Sequence, residues 1–360
     1  MSEDKPSGSL RYGWTTGACA AAAAKAAYAA LLTGDFPDPV TITLPRGETP
    51  AFVLARHELA ADRAAATIVK DAGDDPDVTH GALVSSSVRR GAPGSGVTYK
   101  AGAGVGTFTK PGLPLPVGEP AINPGPRAQI AAAIAEVATL HGAPGDVEVT
   151  VSIADGEAIA RKTLNGRLGI VGGLSVLGTT GIVVPFSCSA WIHSIHRGID
   201  VARAQGLEHI AGATGSASEA AVAKLYGLEE AALIDMGDFV GGMLKYVRAH
   251  PVPRVTIAGG FAKITKLGQG LLDLHSRAGP VDLRWLAERV EELGGAREVA
   301  HAVAQANTAI EALEITHAAG LDLPPLVAGY ARETAVKVLR DSEVALDIAI
   351  FDRDGRLLAR

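Results

Sequence analysis

The spacing of apolar residues changes about halfway along this chain. Near the N-terminus an almost continuous apolar run, residues 18–32, follows two residues able to cap a helix, Thr15 and Thr16, which predicts a buried helix. The β-rich runs that come next, residues 40–44, 51–59 and 66–73, are separated by Pro, Gly and Asp and predict strands. A helix over residues 127–141 and a strand over residues 147–153 then complete a predicted α+β domain, residues 1–160.

From residue 178 onward, strand and helix patterns alternate. The candidate strands are residues 182–184, 209–213, 232–235 and 255–258, and the candidate helices are residues 191–205, 216–226, 239–249 and 262–272. Repeated β-α units favour a Rossmann-like parallel α/β domain, residues 161–360, with ligand loops at the carboxyl ends of its strands. Its C-terminal extension comprises three predicted helices, near residues 282–293, 302–319 and 324–341, and a hairpin, residues 344–351 and 356–359. The sequence does not say on which domain this hairpin packs.

Length, charge and cysteine content restrict the class of protein. The 360 residues can form two domains, and the net charge of -6 argues against general affinity for nucleic acid or anionic membranes. Cys19 and Cys188 are too few for a disulfide framework or a zinc site, which predicts buried thiols and a cytoplasmic location. The first ten residues lack the apolar core of a signal peptide, and the 18–32 run is short and interrupted by Lys25.

A glycine-rich stretch over residues 164–187 is the most unusual part of the sequence. It reads LNGRLGIVGGLSVLGTTGIVVPFS, with Thr179 and Thr180 directly before a short β-branched run. Glycines permit close approach of backbone or ligand. The stretch is therefore either a tight crossover between the two domains or part of a ligand site.

Six segments, in order along the chain, resemble the CbiD family, the cobalt-precorrin-5B C-1 methyltransferases. Besides the glycine-rich stretch they are GWTTGACAAAAAKAA from residue 13, VKDAGDDPDVTHGA from residue 69, GVGTFTKPGLPLPVGEPAINPGPR from residue 104, GDFVGGML from residue 237 and KITKLGQGLLDLHSR from residue 263. The resemblance implies S-adenosylmethionine-dependent methylation of cobalt-precorrin-5B to cobalt-precorrin-6A in cobalamin biosynthesis. Methyl transfer is an in-line displacement that depends on positioning two ligands and needs no enzyme nucleophile.

The turn GATGSASE is the predicted site for the methyl donor. Its residues Gly212, Thr214, Gly215 and Ser216 follow a strand and begin a helix, so that glycines leave room and helix amides face a ligand. Asp235 ends the next strand about 20 residues later, where an acidic residue commonly binds ribose hydroxyls. A plain strand-to-helix turn is the alternative interpretation.

The resemblance implies that the acceptor is a tetrapyrrole rimmed by carboxylates, so its site needs cations and backbone amides around an apolar floor. The predicted substrate-binding residues are Thr179, Thr180, Lys263, Lys266, Ser276 and Arg277, with Lys110 and Arg127 as secondary candidates. The alternative is that the two lysines at 263 and 266 lie on a solvated helix face.

A general base is needed if the macrocycle loses a proton, and His275, Asp75 and His80 are the main candidates, with Asp71 a further one. Asp71, Asp74, Asp75 and Asp77 offer ligands for a hard cation, but they lack the EF-hand spacing and are more readily explained by holding a loop or orienting a ligand. His193 and His196 lack a third ligand, so we predict no metal site.

The chain departs from the family pattern at several positions. Gly260 stands where a histidine is expected, Cys188 and Ser189 replace acidic residues, and Asp238 replaces Asn. Two other functions stay open: a nicotinamide-dependent oxidoreductase, although GATGSA lacks the full dinucleotide fingerprint, and a non-catalytic tetrapyrrole carrier. We also expect a homo-oligomer and transient contacts with neighbouring enzymes of the pathway.

Overall fold

The computed structural model describes residues 10–360, which divide into two compact units. One ends at Ser187 and the other runs from Cys188 to Arg360, so residues 161–187 fall in the first unit, whereas the sequence analysis assigned them to the second domain. The expectation about a signal peptide concerns a segment that lies, except for Leu10, outside the described residues. Within the described part of the chain, no helix is long and apolar enough to cross a membrane.

The first unit combines helices with mainly antiparallel strands. Its helices are α1 (Thr16–Thr33), α2 (Pro124–His141) and α3 (Gly156–Ala160). Its strands are β1 (Gly13–Trp14), β2 (Val40–Thr41), β3 (Ala51–Phe52), β4 (Arg56–Leu59), β5 (Arg63–Val69), β6 (Leu83–Arg90), β7 (Val97–Ala101), β8 (Gly104–Val105), β9 (Thr107–Phe108), β10 (Val147–Ile153), β11 (Ile170–Val171), β12 (Gly173–Leu174) and β13 (Ile182–Val183).

Helix α1 lies at the centre of the first unit and is buried along most of its length. The hydroxyl of Thr15 accepts a hydrogen bond from the Ala18 amide at 3.2 Å, which confirms the predicted cap. Because its side chains are mostly alanine, α1 packs closely on the sheet, and the Ser86 hydroxyl of β6 donates to the Ala20 carbonyl at 2.8 Å.

The main sheet of this unit has the order β4, β5, β6, β10, β7 and is antiparallel except between β10 and β7. Strands β6 and β7 were not predicted from the sequence. Three successive serines weaken the apolar alternation of β6, although Val84, Ser86 and Val88 are buried in the core.

Short pairings join distant segments of the first unit. Strand β13 pairs with β1, β12 with β8 and β11 with β9. The prediction that the strand near residue 182 belongs to the second domain is therefore wrong, because its partner is the N-terminal strand β1.

The second unit contains alternating helices and strands. Its helices are α4 (Cys188–Ala204), α5 (Ser216–Tyr226), α6 (Val240–Ala249), α7 (Phe261–Gly268), α8 (Leu283–Glu292), α9 (Arg297–Ala304), α10 (Ala309–Ala318) and α11 (Leu323–Leu339). Its strands are β14 (His209–Ala213), β15 (Leu233–Asp235), β16 (Arg254–Gly260), β17 (Ala345–Phe351) and β18 (Leu357–Ala359).

The sheet of the second unit has the order β15, β14, β16, β17, β18, and only the β17–β18 pair is antiparallel. Side chains alternate between its faces: Ile210 and Ile257 pack in the cluster formed with α4, α6 and α7, whereas Ala211 and Ala258 pack with Val222 of α5. The predicted mixed α/β class is confirmed. The C-terminal hairpin belongs to this sheet, which answers the question that the sequence left open.

The predicted helix over residues 302–319 is wrong in extent, because two shorter helices, α9 and α10, occupy this region. The second of these helices is capped by Thr308, whose hydroxyl accepts from the Glu311 amide at 3.1 Å. Helix α7 also ends earlier than predicted, and the chain turns at Gly270, which has a φ of +93°.

Candidate active site

The carboxyl edge of the parallel sheet brings together the residues predicted to bind the methyl donor. Asp235 at the end of β15 lies opposite Ala213 at the end of β14. The Thr214 amide donates to the Ala258 carbonyl of β16 at 3.0 Å, and the Gly237 amide donates to the Ala213 carbonyl at 3.0 Å. The turn before α5 is thus fixed against both neighbouring strands.

Gly215 and Ser216 form the open part of this turn. Both are exposed, and a Cβ placed on Gly215 would meet no atom within 4 Å. Gly215 is the N-cap of α5 and provides no side chain to satisfy the first amides of the helix. This arrangement leaves space and hydrogen-bond donors for a ligand.

Gly212 has a different role from the one predicted. It is buried, and a Cβ at this position would lie 2.3 Å from the sulfur of Met243 and 3.1 Å from that of Met236. The prediction that Gly212 leaves room for a ligand is wrong, because Met243 fills that space.

Trp191 on α4 is a residue that sequence analysis did not identify at this edge. Its indole N–H donates to the backbone carbonyl of Asp235 at 3.2 Å, and its ring lies beside Gly237. Trp191 is 46 % exposed, although large aromatic residues are usually more buried. Tryptophan is rare in this chain, which has three, and this rarity was the signal in the sequence that could have drawn attention to Trp191. The sequence does not show that Trp191 lies near Asp235.

Lys263 and Lys266 do not lie on a solvated face of α7. Lys263 forms an ion pair with Asp238 and donates to the Leu274 carbonyl at 3.1 Å. Lys266 is 7 % exposed, and its ammonium donates to the carbonyls of Leu274 and His275 at 3.2 and 3.3 Å. Burial lowers the pKa of Lys266, and the charge of Lys263 adds to this effect. The two lysines therefore fix the loop that follows α7.

That loop presents His275, Ser276 and Arg277 to solvent. The Nδ1 atom of His275 accepts a hydrogen bond from the Arg277 amide at 3.1 Å. Among the described residues, the His275 Nε2, the Ser276 hydroxyl and the Arg277 guanidinium have no hydrogen-bond or ionic partner. Three successive residues of this loop thus carry exposed polar groups.

Gly260 ends β16 and directly precedes α7 at the same edge of the sheet, where the family pattern led us to expect a histidine. A Cβ at Gly260 would meet only the Phe351 carbonyl, at 4.0 Å, so the space beside it is open. Cys188, at the start of α4, is exposed and contradicts the prediction of a buried thiol. Cys19 is buried as predicted, and burial raises the pKa of its thiol to about 12.

The predicted threonines lie in the first unit, in the turn that precedes β13. The Thr180 hydroxyl both donates to the Ile182 carbonyl and accepts from the Ile182 amide, each at 3.2 Å, whereas Thr179 is exposed. Gly178, with a φ of +122°, packs so closely on Thr15 that a Cβ would lie 2.3 Å from the Thr15 Cβ. This part of the glycine-rich stretch fixes the start of α1.

The aspartates of the 71–77 segment hold loops of the first unit. Asp71 pairs with the Arg11 guanidinium, which lowers the Asp71 pKa to about 2, and Asp74 accepts from the Arg11 amide at 2.6 Å. Asp77 binds the buried ammonium of Lys70. Burial pushes the Asp77 pKa upward, but the Lys70 charge outweighs it and the pKa is lowered. The loop-holding interpretation is confirmed for these three residues.

Asp75 and His80 differ in which hydrogen-bonding atom each side chain leaves unbound. Asp75 Oδ1 accepts from the Phe186 amide at 2.8 Å, and Phe186 has a φ of +56°. His80 Nδ1 accepts from the Ala72 amide at 3.1 Å, so neutral His80 carries its proton on Nε2. In this geometry Asp75 keeps one carboxylate oxygen for another partner, whereas His80 offers a donor.

The secondary cationic candidates are bound within the first unit. Lys110 donates to the Arg167 carbonyl at 3.4 Å. Arg127 pairs with Glu119 and lies over the Tyr99 ring, 4.9 Å from its centroid.

The histidine pair on α4 packs beside α6. His196 stacks on Tyr246 of α6 with a centroid distance of 3.9 Å, and His193 lies beside it at 6.2 Å. Across residues 10–360 no group of three or more His, Cys, Asp or Glu side chains is arranged to hold a metal ion.

Comparison with known proteins gives matches over nearly the whole chain. A family profile described as CbiD matches residues 3–185, and one described as the CbiD C-terminal domain matches residues 273–360. A Bradyrhizobium protein named cobalt-precorrin-5B C(1)-methyltransferase is 62 % identical over 98 % of this chain and 93 % of its own length. Proteins with the same name from Methylorubrum extorquens and Agrobacterium fabrum are 60 % and 61 % identical, over 98 % of this chain and 98 % and 93 % of their own lengths.

One solved structure is also similar in sequence. It is the crystal structure of the cobalamin biosynthesis protein cbiD from Archaeoglobus fulgidus, with 24 % identity, coverage of 87 % of this chain and 85 % of that chain, and a TM-score of 0.40.

Proposed function

Because this chain belongs to the CbiD family, we propose that it methylates cobalt-precorrin-5B at C-1 to give cobalt-precorrin-6A in cobalamin biosynthesis. The protein is a methyltransferase. The observation that carries this conclusion is the identity of about 60 % that extends over 98 % of the chain to proteins named for this reaction.

S-adenosylmethionine is the proposed methyl donor, and when bound it supplies a methyl group activated by a sulfonium. The carboxyl edge of the Rossmann-like sheet in the second unit suits its ribose and amino acid parts. Thr214, Gly215 and Ser216 offer space and helix amides, and Asp235 at the adjacent strand end offers a carboxylate for ribose hydroxyls. Trp191 lies close enough to Asp235 to pack against the adenine.

The acceptor carries carboxylates, which favour the donor-rich loop after α7. The Arg277 guanidinium and the Ser276 hydroxyl are exposed there and have no protein partner within residues 10–360, so we assign them to carboxylate binding. Lys266 adds a positive charge, whereas Asp238 already neutralises Lys263. Thr179 in the first unit is the better candidate of the two threonines, because the Thr180 hydroxyl is occupied by Ile182.

A general base is needed where methyl transfer is followed by loss of a proton from the macrocycle. Asp75 is the proposed base among the first-unit candidates, since its carboxylate has an oxygen beyond the one bound to the Phe186 amide. His80 is less suited, because accepting a proton would require breaking its bond with the Ala72 amide.

The reaction itself is the first test. Purified protein, S-adenosylmethionine and cobalt-precorrin-5B should give a product whose mass has increased by one methylation and whose new methyl group, labelled with carbon-13, is attached to C-1. A labelled product with the methyl group at another carbon, or no product, would refute the proposed function.

Donor binding is tested by calorimetry with S-adenosylhomocysteine. Asp235→Ala should raise its Kd by roughly 5- to 150-fold, because the ribose hydroxyls lose a charged partner. The control is Asp341→Ala, which changes an exposed aspartate outside the sheet edge. Titration should also change the fluorescence of Trp191, as judged by comparison with Trp191→Phe. An unchanged Kd in folded Asp235→Ala would place the donor elsewhere.

The two other functions are not favoured by the relatives, and the same calorimeter distinguishes them. Binding of NADH in place of S-adenosylhomocysteine would indicate an oxidoreductase. Binding of a cobalt corrinoid alone would indicate a carrier.

We further propose a cytoplasmic location and a homo-oligomer, with transient contacts to other pathway enzymes. Light scattering tests the oligomeric state.

A further inference from the structure

The main chain of His275 is held on both sides. Its amide donates to the Asp273 carboxylate at 2.9 Å, and its carbonyl accepts from the Lys266 ammonium at 3.3 Å. The preceding residue, Leu274, is completely buried, and its carbonyl accepts from both Lys263 and Lys266. His275 therefore projects from a rigid attachment, although its own side chain is exposed.

The ring of His275 has a defined arrangement of hydrogen-bonding atoms. A backbone N–H can only donate, so the contact from the Arg277 amide to Nδ1 makes Nδ1 the acceptor. In the neutral ring the proton is then on Nε2. The free atom of the ring is consequently a donor, which is the opposite of what a general base offers.

The neighbouring groups have the same character. The Arg277 guanidinium only donates, and the Ser276 hydroxyl is able to donate. Together with the Nε2–H of His275 they give three exposed donors on successive residues, and none of these donors has a hydrogen-bond partner among the described residues. An array of donors suits a carboxylate, which has two acceptor oxygens and a negative charge.

Lys266 holds the backbone of the segment that carries these donors. It is buried and has backbone carbonyls as its acceptors, with no carboxylate within 4.0 Å in the part of the chain that the structure describes. Lys263 shares the Leu274 carbonyl but is paired with Asp238, and Asp273 is exposed and bound to the His275 amide. A positive charge thus lies against the carbonyls of Leu274 and His275, where the segment that carries the three donors begins.

We propose that His275 binds a carboxylate of the acceptor through its Nε2–H, and that Lys266 is the positioning residue that keeps His275 in this donor role. The proposal rests on the proposed function for the identity of the acceptor. It removes His275 from the candidate bases and assigns it to substrate recognition beside Ser276 and Arg277.

The ring protonation is measured first, because this needs no activity. Two-bond proton–nitrogen NMR of the intact chain with labelled histidine, assigned by comparison with His275→Gln, should show Nε2–H as the neutral form. A neutral ring protonated on Nδ1 would overturn the proposal, whether or not the protein methylates cobalt-precorrin-5B.

Substitutions then separate a donor from a base. His275→Gln keeps an N–H at the end of the side chain, so the KM for the acceptor should stay within about threefold, whereas His275→Ala should raise it about tenfold or more. Both variants should keep kcat near that of the wild type and an unchanged acid limb of the kcat–pH profile. A loss of kcat of about a hundredfold or more in His275→Gln would identify a base and refute the donor role.

Lys266→Met tests the positioning role, with Lys245→Met, an exposed lysine of α6, as its control. We expect a higher acceptor KM, an unchanged Kd for S-adenosylhomocysteine and a mixture of His275 ring tautomers. Lys266→Arg should restore the single tautomer. If Lys266→Met fails to fold, Asp273→Ala, which removes the acceptor of the His275 amide on the opposite side, provides the same readouts. A single Nε2–H tautomer with wild-type KM in a folded Lys266→Met variant would refute the positioning role.

Discussion

Lys263 and Lys266 show at the residue scale how far local sequence can assign a role. Their spacing on α7 is common on solvated helix faces, yet Asp238 and Leu274 surround their ammonium groups. These partners come from other segments of the chain, so no pattern within α7 reveals them. The cap at Thr15 was predictable because its partner lies three residues away.

Asp71 makes the first unit sensitive to acid. Its hydrogen bonds with Arg11 lower its pKa from 3.8 to about 2, so folding favours the ionised form. The stabilisation is fully present above pH about 4 and is lost as the pH falls towards about 2. In urea unfolding, Asp71→Asn should be less stable than wild type near neutral pH, and the difference should shrink near pH 2.

Asp62→Asn is the control, because Asp62 is exposed and makes no hydrogen bond or ion pair within residues 10–360. An Asp71→Asn difference that is equally large at both pH values would contradict this assignment.

Thr180 and Thr179 offer a matched pair in one turn. Thr180→Val removes a hydroxyl that bonds both backbone groups of Ile182, and it should lower the free energy of unfolding by about 0.5–1.5 kcal/mol. Thr179→Val should leave this free energy unchanged and lower kcat/KM for the acceptor. Thermal unfolding and steady-state kinetics measure the two effects; a reversal of the pattern would show that Thr180 is the residue facing the substrate.

At the scale of whole elements, strands β10 and β14 and helix α5 begin and end where the sequence predicts. These bounds were predictable because either the apolar alternation is strong or a glycine marks the end of the element. Strand β6 was missed because its buried position 86 is a serine, whose place in the core depends on the Ala20 carbonyl of α1. Whether such a serine is buried depends on a residue that is distant in sequence, so the local pattern does not predict it.

Gly212 lies within β14 and Gly215 directly precedes α5, and the two glycines should respond differently to the same change. Gly212→Ala forces a methyl group against Met243 and should cost about 1–3 kcal/mol of stability. Gly215→Ala meets open space at an extended φ of 172°, so it should keep the stability and weaken S-adenosylhomocysteine binding.

Chemical unfolding and calorimetry distinguish these outcomes. If Gly215→Ala bound S-adenosylhomocysteine as tightly as the wild type, the turn would be structural at both ends.

At the scale of the whole molecule, each compact unit has its own apolar core. We therefore predict that residues 10–187 and residues 188–360, expressed separately, each show circular dichroism of a folded domain and a cooperative unfolding transition. The separate second unit should also bind S-adenosylhomocysteine, since Thr214 and Asp235 both belong to it. A non-cooperative transition in either piece would show that its core is incomplete alone.

The position of β17 affects how the second unit is made on the ribosome. Strand β16 pairs with β14 on one side but needs β17 on the other, and β17 is synthesised only after helices α7 to α11. Until then one edge of β16 exposes unpaired amides and carbonyls, which favour misassociation between nascent chains. In the first unit β6 likewise waits for β10, but a shorter stretch of chain separates these two strands, and the main sheet is complete by residue 153. During synthesis, chaperones should therefore be needed mainly for the second unit.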